Sequence, residues 1–351
     1  MESRLAFFVH PCQCLHVQPP LDTLSRPIRD LRISVTDRCN FRCRYCMPAE
    51  VFGAGYEFLP KPEILTHEEI AKIARVFCHL GAEKLRITGG EPLLRKGLHE
   101  LIEMLADIPG ERDLAMTTNG VLLSRHAVAV KAAGLDRVTV SLDALDEDIF
   151  AAMNGVGASP KKVIDGIDSA QSAGLGVKIN CVVQKGVNED EILPLAEFAR
   201  ERELTLRFIE FMDTGNTNRW KHDQVVPSSA LLKSLRESYE LSSVEDVIVG
   251  ETASRYQYDD IPNAEVGFIS SVSQPFCHSC NRARLSADGQ IFTCLFAEKG
   301  NDLKTLLRGD ASSEDLVAEV AKIWTSRGDR YSEIRADGGD RSKPEMSYIG
   351  G

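Results

Sequence analysis

Residues Leu31–Pro48 read "LRISVTDRCNFRCRYCMP". An alternating apolar run, Leu31–Val35, has the period of a β-strand. A loop follows that carries Cys39, Cys43 and Cys46 in a CxxxCxxC spacing. Thiolates this close together at the end of a strand can surround one soft metal centre. A structural zinc site normally takes four protein ligands, and a 4Fe–4S cluster usually takes four cysteines. A trio leaves one position open, which suits a centre that a small molecule must touch.

Outward from this stretch, strand and helix alternate. Thr66 and Glu69 form a capping-box signature ahead of a helix with apolar Ile70, Ile73, Ala74 and Phe77, closed by Gly81. Strands are predicted at Lys84–Thr88, Leu114–Thr118, Arg137–Leu142, Val177–Val183 and Leu204–Met212. Helices are predicted at Leu98–Ala106, up to Gly134, from Ser159-Pro160 to Gly174, and after Asn188 and Glu191, which read as a further capping pair. Gly97 gives the second helix no capping oxygen. Six such units require a parallel sheet with right-handed crossovers.

Parity within the strands narrows the architecture. Arg32, Ser34 and Thr36 oppose Leu31, Ile33 and Val35. Arg86 and Thr88 oppose Leu85 and Ile87. Thr139 and Ser141 oppose Val138, Val140 and Leu142, and Lys178 and Asn180 oppose Val177, Ile179 and Cys181. A parallel strand covered on both faces would be almost continuously apolar, and a complete eight-stranded barrel fills its interior with bulky side chains. The pattern predicts an α/β fold, an incomplete (β/α)6 TIM-type barrel with a wide polar lumen that holds a polar ligand.

The chain has 351 residues, 43% apolar and 26% charged, with a net charge of −11. This argues against a general nucleic-acid binder, which is usually basic. The apolar stretch Leu5–Val9 is too short for a membrane span or a signal-peptide core. A cytoplasmic protein is expected, with the ten cysteines as thiolate ligands or buried residues rather than disulfides. Cys78 and Cys181 read as core thiols, and Cys12 and Cys14 as thiols of a proline-containing leader. We expect that leader, loosely ordered, over residues 1–28, a barrel core over 29–225 and a C-terminal region over 226–351. The C-terminal region carries a second trio, Cys277, Cys280 and Cys294. Here two readings stand: a second open cluster, or a zinc knuckle with His278 as an awkwardly placed fourth ligand.

CxxxCxxC after the first strand, with "TGGEP" (Thr88–Pro92) after the second, resembles the radical S-adenosylmethionine (SAM) enzymes. The runs "LRITGGEPLLR", "TTNG", "VSLDA", "VKIN", "LRFIEFM", "FCHSCNRARLSADGQIFTCLF" and "SYIGG" resemble the branch of that family that acts on GTP at the start of molybdenum cofactor biosynthesis. The resemblance covers residues 29 to 351. It implies a 4Fe–4S cluster on Cys39, Cys43 and Cys46, with SAM lined by Tyr45, Gly90, Ser141 and Met212. It implies a second 4Fe–4S cluster on Cys277, Cys280 and Cys294 that meets the guanine. GTP contacts fall to Arg32, Arg86, Thr117, Lys178, Arg207, Arg282 and Arg284. Arg32, Arg282 and Arg284, with the tail glycines Gly350 and Gly351, are implied in catalysis. The implied reaction is abstraction of the 3′ hydrogen of GTP by a 5′-deoxyadenosyl radical, then ring closure on guanine C8 to 3′,8-cyclo-7,8-dihydro-GTP. Implied partners are a reductant protein and a downstream cyclic pyranopterin monophosphate synthase, around a monomer or homodimer with no nucleic-acid or membrane partner. Two other readings remain at this level: a different radical SAM enzyme with an auxiliary cluster, and a non-enzymatic zinc module with a diglycine tail.

Overall fold

The computed structural model describes residues 19–110, 112–245, 250–335 and 342–350. The chain opens with β1 (Asp30–Ser34), α1 (His67–His79), β2 (Lys84–Thr88), α2 (Leu98–Ala106), β3 (Asp113–Thr118) and α3 (Leu123–Ala132). It continues with β4 (Arg137–Ser141), α4 (Glu147–Asn154), α5 (Pro160–Ser172), β5 (Gly176–Val183), α6 (Ile192–Glu201) and β6 (Thr205–Glu210). Local signals act as expected at several starts. The Thr66–Glu69 capping box forms at α1, and Ser159 Oγ accepts from Lys161 N with Pro160 in the first turn of α5. Gly97 sits at the start of α2 with φ +71° and no side-chain cap, a backbone setting that suits glycine.

After β6 come α7 (Ser228–Arg236), β7 (Leu241–Ser243), β8 (Ser254–Tyr258) and β9 (Ile261–Ile269). Then follow β10 (Arg282–Leu285), β11 (Gln290–Phe292), β12 (Asn301–Asp302), α8 (Lys304–Arg308), α9 (Ser313–Thr325) and α10 (Met346–Ile349). Among the described residues one sheet runs β12-β11-β10-β1-β2-β3-β4-β5-β6-β9-β8-β7. Strands β1 to β6 pair in parallel, in sequence order, as the βα repeat demands. The order is linear, so the barrel stays open. The C-terminal region prolongs its wall at both edges: β10 adds in parallel to β1, and β9 in parallel to β6.

The apolar faces pack outward against the helices. Leu31, Ile33, Leu85, Ile87, Val138, Val140, Ile179, Leu206 and Phe208 are all fully buried in one core. Register sets the inner face: Arg284, Arg32 and Arg86 lie abreast on β10, β1 and β2, while Asn180 and Arg207 lie abreast on β5 and β6. A slip of one residue would turn each of these into the apolar layer.

Two sequence expectations need correction, and one helix is added. Residues 19–28, assigned to a loose leader, are built into the fold. Asp22 and Arg26 are buried, and Leu21 bridges Pro27. Cys12 and Cys14 lie outside the described residues. Asn188 does not cap α6. Its buried amide donates to Asp143 O and Val182 O, and its Oδ1 accepts from Gln184 N. Glu191 accepts instead from Leu145 N and Asp146 N, so the pair ties together the loops that follow β4 and β5. Helix α4 was not foreseen, because it is short and its role is tertiary. Its last carbonyls, Met153 O and Asn154 O, accept from Arg44 N and Arg42 N of the cysteine loop.

Gly166 on α5 approaches α3 closely: a Cβ there would lie 2.4 Å from Gly120 O. Helix propensity alone predicts that Gly166→Ala stabilises by about 1 kcal/mol. The clash with backbone reverses the sign, and overpacking of this kind costs about 1–3 kcal/mol. Denaturant titration of G166A checks this; a raised midpoint would contradict the packing argument.

Candidate active site

The inner face of the barrel encloses a cavity of about 810 Å³, lined by residues from all six core strands and from the loops around both cysteine trios. Cys39, Cys43 and Cys46 border it on the loop after β1. This loop is fixed by its backbone. Cys46 N and Met47 N both donate to Cys43 O, and Arg42 donates to the carbonyls of Cys39, Phe41 and Phe52. The sulfurs are left without disulfides. Burial pushes the Cys39 thiol up to about 11, so these cysteines need a cation to ionise.

Around this loop stand Tyr45, Gly90, Ser141 and Met212, all bordering the cavity. Tyr45 OH donates to Asp143 Oδ2 at 2.7 Å. Burial raises the Asp143 carboxyl to about 6. The Gly89-Gly90 turn lies under the cysteine loop, where a Cβ on Gly90 would be 2.3 Å from Arg38 O. Neither glycine tolerates a side chain. Sequence reasoning named neither Asp143 nor Glu91, although both sit in the quoted runs "VSLDA" and "TGGEP". Buried Glu91 accepts from Thr118 Oγ1 and Asn119 N, which pins the turn after β2 to the turn after β3.

Deeper in the lumen six cationic side chains gather, among them Arg207, which pairs with Glu251 at 3.3 Å. Arg32, Arg86, Lys178, Arg207, Arg282 and Arg284 all border the same cavity, with Thr117 beside them accepting from Arg86 Nη1 at 3.3 Å. Burial, then the neighbouring Arg282 and Arg86, hold Arg32 down to about 9, although Asp30 opposes this. Burial, then Arg32 and Arg282, likewise bring Arg284 to about 9. Burial, with Arg207 and Arg137, brings Lys178 to about 8. The Nε atoms of Arg32, Arg86, Arg207, Arg282 and Arg284, and Nη1 of Arg284, are buried without a hydrogen-bond partner. Mutually repelling buried cations with unpaired donors are unfavourable for the protein alone. They are what a polyanion would satisfy.

At the far side, Cys277, Cys280 and Cys294 border the cavity. Burial opposes ionisation of Cys280, yet Arg282 and Arg327 outweigh it and hold the thiol down to about 6. Their Nη2 atoms lie 3.2 and 3.3 Å from its sulfur. His278 is exposed, and its backbone N donates to Glu333, so it does not join the trio. Among the described residues no three Cys, His, Asp or Glu side chains converge on a single ion. Gly350 packs with φ +74° against Thr88 and Ser34, at the foot of the "TGGEP" turn, and Met346 of the same tail borders the cavity. Gly351 lies outside the described residues. Cys181 is buried in the core, as read from sequence, whereas Cys78 is only half-buried at the core's margin, where Arg112 Nε donates to its sulfur.

Residues 33–199 match the Radical SAM superfamily, and residues 204–333 match Molybdenum Cofactor Synthesis C. A protein of Staphylococcus epidermidis described as GTP 3′,8-cyclase is 46% identical over 94% of this chain and 98% of its own length. Another of that description, from Acidothermus cellulolyticus, is 46% identical over 95% and 99%. The chain belongs to the GTP 3′,8-cyclase family. Among solved structures, Streptococcus suis SuiB bound to S-adenosylmethionine superposes with a TM-score of 0.61 at 15% identity, over 92% of this chain and 76% of that one. At that identity it shows the shared fold.

For a member of the GTP 3′,8-cyclase family, the radical SAM fold implies a 4Fe–4S cluster and SAM, and the residues present fit them. Free thiols on a rigid loop meet the donor requirement for a cluster, in which each cysteine binds a different iron, so convergence on one ion is not needed. Asn180 Oδ1, buried without a partner beside the cavity, is an acceptor open to a polar ligand.

Two outcomes follow from the cation row. Arg284→Met should leave the melting temperature of the ligand-free protein unchanged or raised, because repulsion with Arg32 and Arg282 is relieved. It should also lose most of the stabilisation by inorganic triphosphate, a tenfold or greater weakening. Thermal unfolding with and without triphosphate reads both, and a destabilised variant with undiminished triphosphate binding would overturn the assignment. Lys178 carries its charge below about 8 and loses it above, so triphosphate affinity should fall as pH rises through 8. Calorimetric titration across that range should show the fall in the parent and a flatter profile in Lys178→Arg.

Proposed function

We propose that this protein converts GTP to 3′,8-cyclo-7,8-dihydro-GTP, the first step of molybdenum cofactor biosynthesis. The observation that carries the reading is the row of buried, partly unpaired cations between two cysteine trios in one cavity. That row matches a triphosphate in charge, and the trio beyond it gives a purine somewhere to dock.

Cys39, Cys43 and Cys46 would hold a 4Fe–4S cluster whose open iron takes SAM, with Tyr45, Gly90, Ser141 and Met212 around it. Cys277, Cys280 and Cys294 would hold the second 4Fe–4S cluster. When bound, the first cluster and SAM supply a 5′-deoxyadenosyl radical able to take the 3′ hydrogen of GTP. The chain's own part is placement. Arg32, Arg86, Arg284, Lys178 and Arg207, with Thr117, bind the triphosphate end, where guanidinium forks suit phosphate oxygens. Arg282 and Arg284 stand on β10 and link that end to the second trio, so they orient the nucleotide and stabilise charge on it. With both ends fixed, the ribose 3′ C–H and guanine C8 have little freedom, and orientation of this kind contributes much of the rate. The tail, with Met346 at the cavity and Gly350 packed against Thr88 and Ser34, closes the site from the side of β1 and β2 and excludes water and oxygen from the reacting ribose.

Ring closure needs an electron and a proton, which a reductant protein would deliver. The product would pass to a cyclic pyranopterin monophosphate synthase. Cysteines used as ligands fit the reducing cytoplasm. No described helix is long and apolar enough to cross a membrane.

The test is anaerobic turnover with iron–sulfur-loaded protein, SAM, reductant and GTP deuterated at C3′. Deuterium should appear in 5′-deoxyadenosine together with a cyclised product by mass spectrometry. Unlabelled 5′-deoxyadenosine beside intact GTP, from protein carrying both clusters, would overturn GTP as substrate.

A further inference from the structure

Behind the second trio, on the side away from the cavity, lies a buried charge network that the reaction described above does not use. It joins the N-terminal segment to the chain just after α9. Arg327 is 1% exposed at its side chain. Its Nη1 donates to Cys280 O at 2.7 Å, its Nη2 to Cys280 Sγ at 3.3 Å and its Nε to Thr293 O at 3.0 Å, next to Cys294. Arg26 Nη1 donates to Cys277 O at 2.5 Å and to Asp329 O at 3.0 Å. Asp22, fully buried at its side chain, binds both guanidiniums through Oδ2: Arg26 Nε at 2.6 Å and Arg327 Nη1 at 3.2 Å. Thr23 Oγ1 donates to Arg327 O, Trp324 Nε1 donates to Arg26 O, and the Arg327 guanidinium lies 4.5 Å over the Trp324 ring. Each cysteine of the trio is thus tied, directly or through its neighbour, to one of two arginines that share one carboxylate. None of Asp22, Arg26 and Arg327 borders the cavity, which separates them from Arg282 and Arg284.

We infer that Arg327, oriented by Asp22 and Arg26, positions the second cysteine trio and sets the reduction potential of the cluster it holds. The inference rests on the reading that this trio holds a 4Fe–4S cluster. A cluster gains a negative charge on reduction, and hydrogen bonds to its sulfurs and the nearby charge tune its potential. A cationic donor on a ligand sulfur favours the reduced form and raises the potential. A carboxylate behind that donor offsets its charge and lowers the potential. Arg327 is therefore a positioning residue, acting on the cluster through Cys280 and not on the nucleotide.

The opposite signs of these two effects make the test. The background is the full chain with Cys39, Cys43 and Cys46 replaced by Ala, reconstituted anaerobically so that only the second trio can hold iron. Iron and sulfide are counted, and the potential is measured by a redox titration followed by electron paramagnetic resonance. In this background Arg327→Met should shift the potential negative and change the resonance line shape. Asp22→Asn, which keeps both arginines and a side chain of the same shape, should shift it positive. A general loosening of the fold would not move the two in opposite directions. If R327M fails to fold, D22N decides alone. Potentials equal to the parent's in iron-loaded variants overturn the inference and leave the cluster assignment intact. A background protein that binds no iron and sulfide overturns the cluster assignment itself, and the role of Arg327 with it.

Discussion

Positive charge buried on the inside of a parallel sheet is the constraint on which the rest of this molecule depends. Arg32, Arg86 and Arg284 lie abreast at one register level, with Arg282 one step behind on β10 and Lys178 and Arg207 across the lumen. Burial lowers the affinity of Arg32 and Arg284 for their protons, and neighbouring cations lower it further: Arg282 and Arg86 at Arg32, Arg32 and Arg282 at Arg284. Such an arrangement persists only if the surrounding core is strong enough to impose it. The continuous apolar layer between strands and helices supplies that strength. The helices cover one face so completely that the inner face is free to be chosen for ligand binding.

This division of labour explains why so much was legible in the sequence. Each strand carries two independent texts at alternate residues. One, Leu31-Ile33-Val35 or Val138-Val140-Leu142, specifies the fold. The other, Arg32 or Thr139-Ser141, specifies the site. Residue parity marks the inner face because a parallel sheet that needs helices on one side shows any polarity on the other. The capping box at α1 and the proline at the start of α5 were legible because their physics is local. What stayed hidden is tertiary. Helix α4 is held by what its carbonyls do for Arg42 and Arg44, residues about a hundred positions away. Asn188 resembled a helix cap because its spacing to Glu191 fits one, but both side chains serve partners on other loops. Asp22 and Arg26 sit among prolines without periodicity, and their partner, Arg327, lies at the other end of the chain.

The strand order shows why the C-terminal region cannot be read as an appendage. Pairing of β10 with β1 sets Arg284 opposite Arg32 and Arg282 opposite Asp30, only two positions after Cys280. The second trio is delivered to the cavity by the same backbone ladder that delivers these arginines. The distance between the trio and the cation row is therefore a property of sheet register, not of a flexible junction. Asp30 has a matching role. Its charge raises the proton affinity of Arg32 and Arg86, which partly offsets the repulsion where β10 joins the barrel.

The tail follows the same logic of anchoring at a distance. Lys343 reaches Asp213 at 2.7 Å and the Tyr331 hydroxyl at 2.7 Å, and Glu345 accepts from Asn216 N and Thr217 Oγ1, so the segment is fastened to the loop after β6. From there Tyr348 OH donates to Asp288 in the turn between β10 and β11, and Gly350 turns against Ser34 and Thr88 at the ends of β1 and β2. The tail therefore runs from the loop after β6 to the ends of β1 and β2, held at each end. A Cβ on Gly350 would sit 2.6 Å from Thr88 Cγ2, and its φ of +74° is a conformation side chains rarely adopt. Glycine is required there by the packing of the strap itself, before any contact with a substrate is considered. The barrel wall, the cysteine loops and the tail thus depend on one another. Strand register places the charges, the loops after β1, before β10 and after β11 place the thiols beside them, and the strap is built to the shape that they leave open.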